Sequence, residues 1–238
     1  MRPEVKFWDK MLPDQPEHAN LYKGQSFMHD LFDVVCRSSG ISNPHDEFKL
    51  EQSDLFTAEE MASNPIAMRF LQFLIRLTGA RRVLEIGAFI GLSTMYFAKA
   101  LPADGEVVSI EKFDKFAKVA RRNFELNGLS AKIKLFDGDA FEVLDKLPQD
   151  QKFDLVFVDG NKERYKDYVI KTEPLLARNG IMIVDDCFYH GDVLNKDPTD
   201  AKGLGTKAFM DYAADCNDWL RIALPLSNGL FMMVRNGG

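Results

Sequence analysis

Arg82-Val83-Leu84-Glu85-Ile86-Gly87-Ala88-Phe89-Ile90-Gly91-Leu92-Ser93-Thr94 is the stretch that decides how this chain folds. An apolar strand runs into a turn with two glycines, and the turn runs into a helix. Glycine lets the backbone come close to a ligand, and the first N–H groups of a helix point free donors at it. The spacing Glu-x-Gly-x-x-x-Gly differs from the dinucleotide pattern Gly-x-Gly-x-x-Gly. The stretch therefore reads as a nucleotide-type cofactor turn of another kind.

Downstream, apolar runs and amphipathic segments alternate. Strands are expected at 82–86, 106–110, 132–136, 153–158 and 180–184, with helices at 91–101, 113–127, 139–147 and 164–177. Leu155-Val156-Phe157-Val158 and Ile181-Met182-Ile183-Val184 are continuous apolar runs, as parallel strands covered on both faces require. The tail changes character: a helix at 205–217, a strand at 219–224, the turn Ser227-Asn228-Gly229 and a strand at 230–234 predict an antiparallel hairpin. The expected fold is α/β, a Rossmann-like, doubly wound, mostly parallel seven-stranded sheet with that hairpin at its end and extra N-terminal helices.

Upstream, Leu21, Phe27, Met28, Leu31, Phe32, Val34 and Val35 recur at helical spacing and predict a helix over 18–37. Thr57-Ala58-Glu59-Glu60 reads as a capping box, and a further helix runs from Pro65 to a stop at Gly79. The expected division is an N-terminal helical extension, 1–55, and a cofactor-binding domain, 56–238.

Composition narrows the function. The chain has 238 residues, 46% of them hydrophobic, and a formal net charge of −6. A large core can be buried, and no basic footprint for nucleic acid is present. No apolar run reaches the roughly 18 residues of a membrane span. Cys36, Cys187 and Cys216 lack CxxC spacing and read as free thiols in a reducing compartment, so a cytoplasmic location is expected.

In open α/β sheets ligands lie at the carboxyl ends of the strands. Each such end here carries an acidic residue: Glu85 with Gly87 and Gly91, then Glu111, Asp139 beside Ala140, Asp159, and Asp185-Asp186. Singly, each can be a turn or cap residue; five together point to a site. Glu111 follows the last glycine by about twenty residues, which suits a carboxylate accepting from ribose hydroxyls. Asp139 suits an exocyclic amine on a base, and Ser93, near a helix start, suits a carboxylate. Ribose, amino-bearing base and amino-acid carboxylate together describe S-adenosylmethionine. They describe a nicotinamide dinucleotide poorly, because a second phosphate-binding half is missing.

Residues 61–236 resemble the cation-dependent O-methyltransferases of the caffeoyl-coenzyme A and catechol O-methyltransferase group. The matching stretches are Met61-Ala62-Ser63 with Arg69–Leu74, Leu84–Ser93, Phe157–Lys162 with Tyr165, and Val184-Asp185-Asp186 with His190-Gly191. The resemblance implies cofactor contacts at Met61, Gly87, Ser93, Glu111, Asp139, Ala140 and Asp159. It also implies a catechol-type, vicinal dihydroxy aromatic acceptor and a homodimer. Two departures stand out: Asn161, where the family carries an acidic residue or tryptophan, and Asp186, where it carries asparagine.

Asp159, Asp185 and Asp186 come from strands expected to be neighbours, and three converging carboxylates repel unless something positive lies between them. A hard divalent cation fits: Mg²⁺ first, with Mn²⁺ or Ca²⁺ as alternatives. The resemblance implies the same three ligands. On residue type alone Lys162 is a surface lysine; the resemblance implies a general base, for which a depressed pKa is expected. Phe188, Tyr189 and His190 are candidates for stacking on an aromatic acceptor. The rival functions are a methyltransferase of the same fold that works on another nucleophile or without metal, and a non-catalytic protein built on the cofactor fold.

Overall fold

The computed structural model of the chain describes residues 34–61, 63–198, 200–226 and 228–237. The chain divides into two compact units, 1–42 and 43–238. Most of the helix expected at 18–37 lies outside the described residues; residues 34–38 are helical, and Gly40 at φ 59° closes that segment. The division falls at 42/43 rather than at 55/56. Phe48, buried at 4% exposure, shows why: residues 43–55 contribute to the second unit's core. Lys49 and Asn127 exchange hydrogen bonds, as do Glu51 and Asn123.

The second unit opens with α1 (Pro44–Glu47), α2 (Ala58–Met61) and α3 (Pro65–Thr78). Both ends of α3 follow from its sequence. The Asn64 side chain accepts from the Ile66 N–H at 2.8 Å, Pro65 stands where no N–H is needed, and Gly79 turns left-handed at φ 67°. There follow β1 (Arg82–Ile86), α4 (Leu92–Ala100), β2 (Glu106–Glu111), α5 (Asp114–Leu126), β3 (Ile133–Asp137), α6 (Ala140–Lys146) and β4 (Phe153–Val158). Then come α7 (Tyr165–Thr172), β5 (Leu176–Val184), α8 (Ala201–Asp215), β6 (Trp219–Leu224) and β7 (Leu230–Arg235).

The seven strands form one sheet in the order β3-β2-β1-β4-β5-β7-β6. The first five are parallel, and β7 runs antiparallel between β5 and β6. The order reverses at β1, which has β2 on one side and β4 on the other. A crevice for a ligand is therefore expected beyond Ile86. Side chains alternate across the strands and split the core in two. Val83, Val107 and Phe157 face α3, α4 and α5, while Leu84, Ile110 and Val156 face α6, α7 and α8.

One expected element differs. The helix at 164–177 is a 3₁₀ turn, Lys162–Arg164, then α7, then a second 3₁₀ turn, Glu173–Leu175. Pro174 has no N–H to continue the helix, and β5 begins at Leu176, four residues before the expected 180. Gly180 sits inside that strand, where a Cβ would lie 2.8 Å from Leu176 and 2.9 Å from the Phe153 carbonyl.

At the opposite edge of the strands Glu106 pairs with Arg82 at 3.0 Å and with Lys134. Burial opposes its ionisation, but the two cations outweigh it and hold the carboxyl below its usual value. A depressed folded pKa stabilises above the unfolded pKa, and that contribution is lost as pH falls through the folded value. Glu106→Gln is expected to cost roughly 0.5–1 kcal/mol near neutrality and almost nothing at a pH below the folded value. Denaturant melts at the two pH values check this; a gap that persists in acid would assign the loss to packing.

Candidate active site

A cavity of about 800 Å³ opens at the carboxyl ends of β1 to β5, within the size range of small-molecule sites. The loop after β1 forms its floor. Gly87 adopts φ 95°, and a Cβ there would run into the Asp159 backbone, with the carbonyl carbon at 2.8 Å. The Gly87 and Asp159 backbones are thereby brought into direct apposition. Gly91 has a different task. At φ 85° it starts α4, and a Cβ there would lie 2.7 Å from the Phe124 ring. It allows α4 to pack on α5 and does not line the cavity.

Glu85 also departs from the sequence expectation. It is fully buried beneath the turn and is not part of the cavity wall. Its side chain lies on the same sheet face as Val83, under α4, and its register partner is Ser109. Ser93 and Ser109 donate to it at 2.5 Å, and Thr94 donates as well. Burial pushes its carboxyl up, against the pull of those hydroxyls. Glu85 thus ties β1, β2 and the start of α4 together. Only Ser93 of this group also reaches the cavity.

Glu111 does face the cavity. Its carboxylate accepts the Phe89 and Phe113 N–H groups, each at 2.8 Å, so the glycine loop and the start of α5 aim it. Burial raises its pKa despite these donors. Asp139 stands one step behind. It caps α6 by accepting the Phe141 N–H at 3.0 Å and pairs with Lys112 at 3.2 Å, while its neighbours Gly138 and Ala140 form the wall. Burial works against its ionisation, yet the Phe141 N–H and Lys112 hold its carboxyl low.

The other end of the cavity carries Asp159, Lys162, Asp185 and Asp186. The ladder continues one residue past the strands: Asp159 N–H donates to Ile86 at 2.9 Å, and Asp185 N–H to Val158 at 3.0 Å. This fixes the two aspartates on adjacent strand ends. Asp186 turns left-handed at φ 53°. Lys162 Nζ lies 2.9 Å from Asp186 and 3.6 Å from Asp159. Burial pushes Asp159 upward, opposed by Lys162 and reinforced by Asp185 and Asp186. Burial and the Asp186 charge push Asp185 up to about 6.

The pKa expected for Lys162 is reversed. Burial alone would lower it, but Asp159, Asp186 and Asp185 together raise it. In this arrangement Nζ is an ammonium that bridges carboxylates.

The donor set suits a hard divalent cation in kind, with three carboxylates against one ammonium. A further oxygen is nearby: Ser63 Oγ is buried beside the Asp185 carboxyl, which its hydroxyl draws down. Among the described residues no group of three acidic, histidine or cysteine side chains is arranged to hold a metal. The residues fit the ion by chemistry, while the Asp159 and Asp186 side chains turn toward Lys162.

Residues 45–236 match the family described as O-methyltransferase. The chain belongs to that family. Membership makes it an S-adenosylmethionine-dependent O-methyltransferase of the caffeoyl-coenzyme A and catechol group. The methyltransferase is 33% identical to catechol O-methyltransferase of Niastella koreensis over 61% of this chain and 67% of that one. It is 29% identical to caffeoyl-CoA O-methyltransferase 2 of Eucalyptus globulus over 70% and 72%. Among solved structures, the O-methyltransferase TomG of Streptomyces achromogenes, determined in complex with SAM, is 30% identical over 84% of this chain and 89% of that one, with a TM-score of 0.69. Against curated relatives the aligned part spans from 52% to 72% of their own length.

Of the residues singled out in the sequence, the methyltransferase brings Met61, Gly87, Ser93, Glu111, Ala140, Asp159, Lys162, Asp185 and Asp186 to one cavity, and leaves Glu85, Gly91 and Asp139 behind its walls. Tyr189 and His190 line it, whereas Phe188 packs against the core. The sequence reading missed Phe89, Phe113 and Phe116, which line the cavity near Glu111, and Lys202 on α8. Phe113 and Phe116, spaced three apart right after Glu111, were the available signal for the aromatic wall.

Proposed function

We propose that this enzyme transfers a methyl group from S-adenosylmethionine to one hydroxyl of a catechol-type aromatic, assisted by a divalent cation, with Lys162 as general base. The carrying observation is that Glu111 and the Asp159–Lys162–Asp186 cluster line one cavity. In this reading the cofactor lies along the loop after β1, with its ribose hydroxyls on Glu111, its base between Phe113 and the Gly138-Asp139-Ala140 turn, and its amino-acid end near Ser93. Met61 closes over it.

Asp159, Asp185 and Asp186 would hold the cation, Mg²⁺ first, whose charge acidifies a phenol that is otherwise mostly neutral at pH 7. Lys162, as the neutral amine left when its ammonium has given a proton to solvent, takes the hydroxyl proton at Nζ. Tyr189 and His190 flank the ring. The walls would serve to bring the hydroxyl oxygen into line with the sulfonium methyl, the near-attack arrangement such a transfer needs. The reading includes a homodimer and a reducing, cytoplasmic compartment, in keeping with Cys36, Cys187 and Cys216 as free thiols.

One observation favours a second reading, a methyltransferase of this fold that needs no metal: the Lys162 ammonium already bridges Asp159 and Asp186. Assaying a panel of catechols with S-adenosylmethionine separates the two. Turnover abolished by chelator and restored by Mg²⁺ is the expected result. Turnover indifferent to chelator selects the second reading, and absence of S-adenosylmethionine binding by calorimetry removes both.

A further inference from the structure

The cavity holds three lysines, and two of them are paired. Lys112 meets Asp139 at 3.2 Å, and Lys162 meets Asp186 at 2.9 Å. The third, Lys202, lines the same cavity from the first turn of α8 and makes no ion pair among the described residues. Its nearest acid in sequence, Asp200, attracts it without closing an ion pair and accepts the Gly203 N–H at 2.8 Å and the Tyr189 hydroxyl at 3.0 Å.

The backbone under Lys202 is firmly placed. A Cβ on Gly203 would lie 2.9 Å from the Asp192 carboxyl carbon, and one on Gly205 would lie 2.5 Å from Glu163 Cα. These two glycines press the start of α8 against the loop after β5 and against the Lys162 turn. Asp200 caps the helix, and its contact with Tyr189 joins α8 to the Tyr189–His190 wall. A flexible cationic side chain thus projects from a fixed point.

Charge in this part of the cavity is of both signs. Asp159 and Asp186 flank Lys162, with Asp185 beside them, and Lys202 lines the same cavity together with Tyr189, whose hydroxyl reaches Asp200 at the start of α8. Resting on the acceptor reading above, we propose that Lys202 recognises an anionic substituent of the acceptor. The preferred acceptors are then vicinal dihydroxy aromatics whose side chain ends in a carboxylate. Such a molecule offers hydroxyls to the aspartates and an anion to the unpaired lysine. Its hydroxyls go to the aspartate end, and its carboxylate is repelled from that end and held by Lys202. The same pairing sets which way round the ring enters, and so which hydroxyl meets the methyl group.

The test compares two probes that differ only in charge, dihydrocaffeate and its methyl ester. Both kcat/KM and calorimetric affinity for the enzyme with cofactor are measured, at low and high salt. The acid is expected to be favoured about five- to tenfold, the range of a charge-assisted contact at a partly exposed site, and the preference should shrink with salt. Lys202→Met should bring the ratio to about one, and Lys202→Glu should invert it. Lys202 is exposed, so neither change burdens the core. An ester bound as well as the acid by the wild type, or a preference that survives Lys202→Met, overturns the proposal. The two measurements also separate it from the reading beneath it. A Lys202-dependent preference in binding without methylation of either probe would sink the catechol reading and leave the Lys202 contact standing. Methylation of both probes regardless of charge would do the reverse.

Discussion

Lys162→Met is expected to lower turnover by roughly 10²- to 10⁴-fold, the usual contribution of a positioned proton acceptor, while S-adenosylmethionine binding by calorimetry changes far less. Lys162→Arg tells whether the effect is proton transfer or charge. Arginine keeps a cation beside Asp159 and Asp186 but does not give up its proton. A base role requires that arginine fail nearly as badly as methionine; an arginine variant close to wild type would assign Lys162 an electrostatic task only. The pH profile adds a sign. Asp159, Asp186 and Asp185 raise the Lys162 pKa, so near neutrality the group is an ammonium, and turnover should climb as pH rises toward its titration. That climb should be missing from the residual activity of the arginine variant.

Gly87→Ala is expected to be the most damaging change in the cofactor half. The residue sits at φ 95°, and the new Cβ would meet the backbone across from it, with the Asp159 carbonyl carbon at 2.8 Å and Gly160 Cα at 3.1 Å. Left-handed strain costs about 1–2 kcal/mol, and the displaced loop adds to it, for a total of roughly 2–4 kcal/mol. The cofactor floor moves with the loop, so affinity for S-adenosylmethionine should fall by about a hundredfold or more. Gly79→Ala is the control. Its φ is 67°, but a Cβ there meets nothing within 4 Å, so it carries the strain without the close approach. Thermal melts of both variants, with and without cofactor, isolate the second contribution. If Gly87→Ala is no worse than Gly79→Ala, close approach to Asp159 is not what Gly87 is for.

The sheet was legible because its strands obey a simple rule. Runs buried on both faces, such as Val156–Val158 and Met182–Val184, can hardly be anything else. The error at 164–177 arose where that rule has no purchase: Pro174 ended the helix early, and Gly180, where the strand was expected to begin, serves a close approach within β5. The site was legible as residue types and less so as directions. Glu85 and Glu111 both end strands, and nothing local says that the first points under α4 and the second into the cavity. That depends on pleat parity and on Ser109 in the neighbouring strand. Lys162 shows the same limit in electrostatics. Its chemistry was inferred from position, but the sign of its pKa shift depends on how near Asp186 comes. Lys202 had no local signal, since its place in the wall is created by Gly203 and Gly205 packing.

The reversal of strand order at β1 also sorts the chain by task. Apart from residues 61–64, the wall on the Glu111 side is drawn from residues 86–140, and the wall on the Lys162 side from residues 159–228. The two stretches are consecutive, and they meet along one seam, the β1–β4 ladder, with Leu84 opposite Val156 and Ile86 opposite Val158. Acceptor choice can therefore diverge by replacing the second stretch wholesale while the first is inherited unaltered, provided that β4 keeps its face to β1. A chimaera joined in the exposed Gln149–Gln151 connection, with Asp159 and Gly160 retained against Gly87, is expected to exchange one substrate for another while keeping the methyl donor.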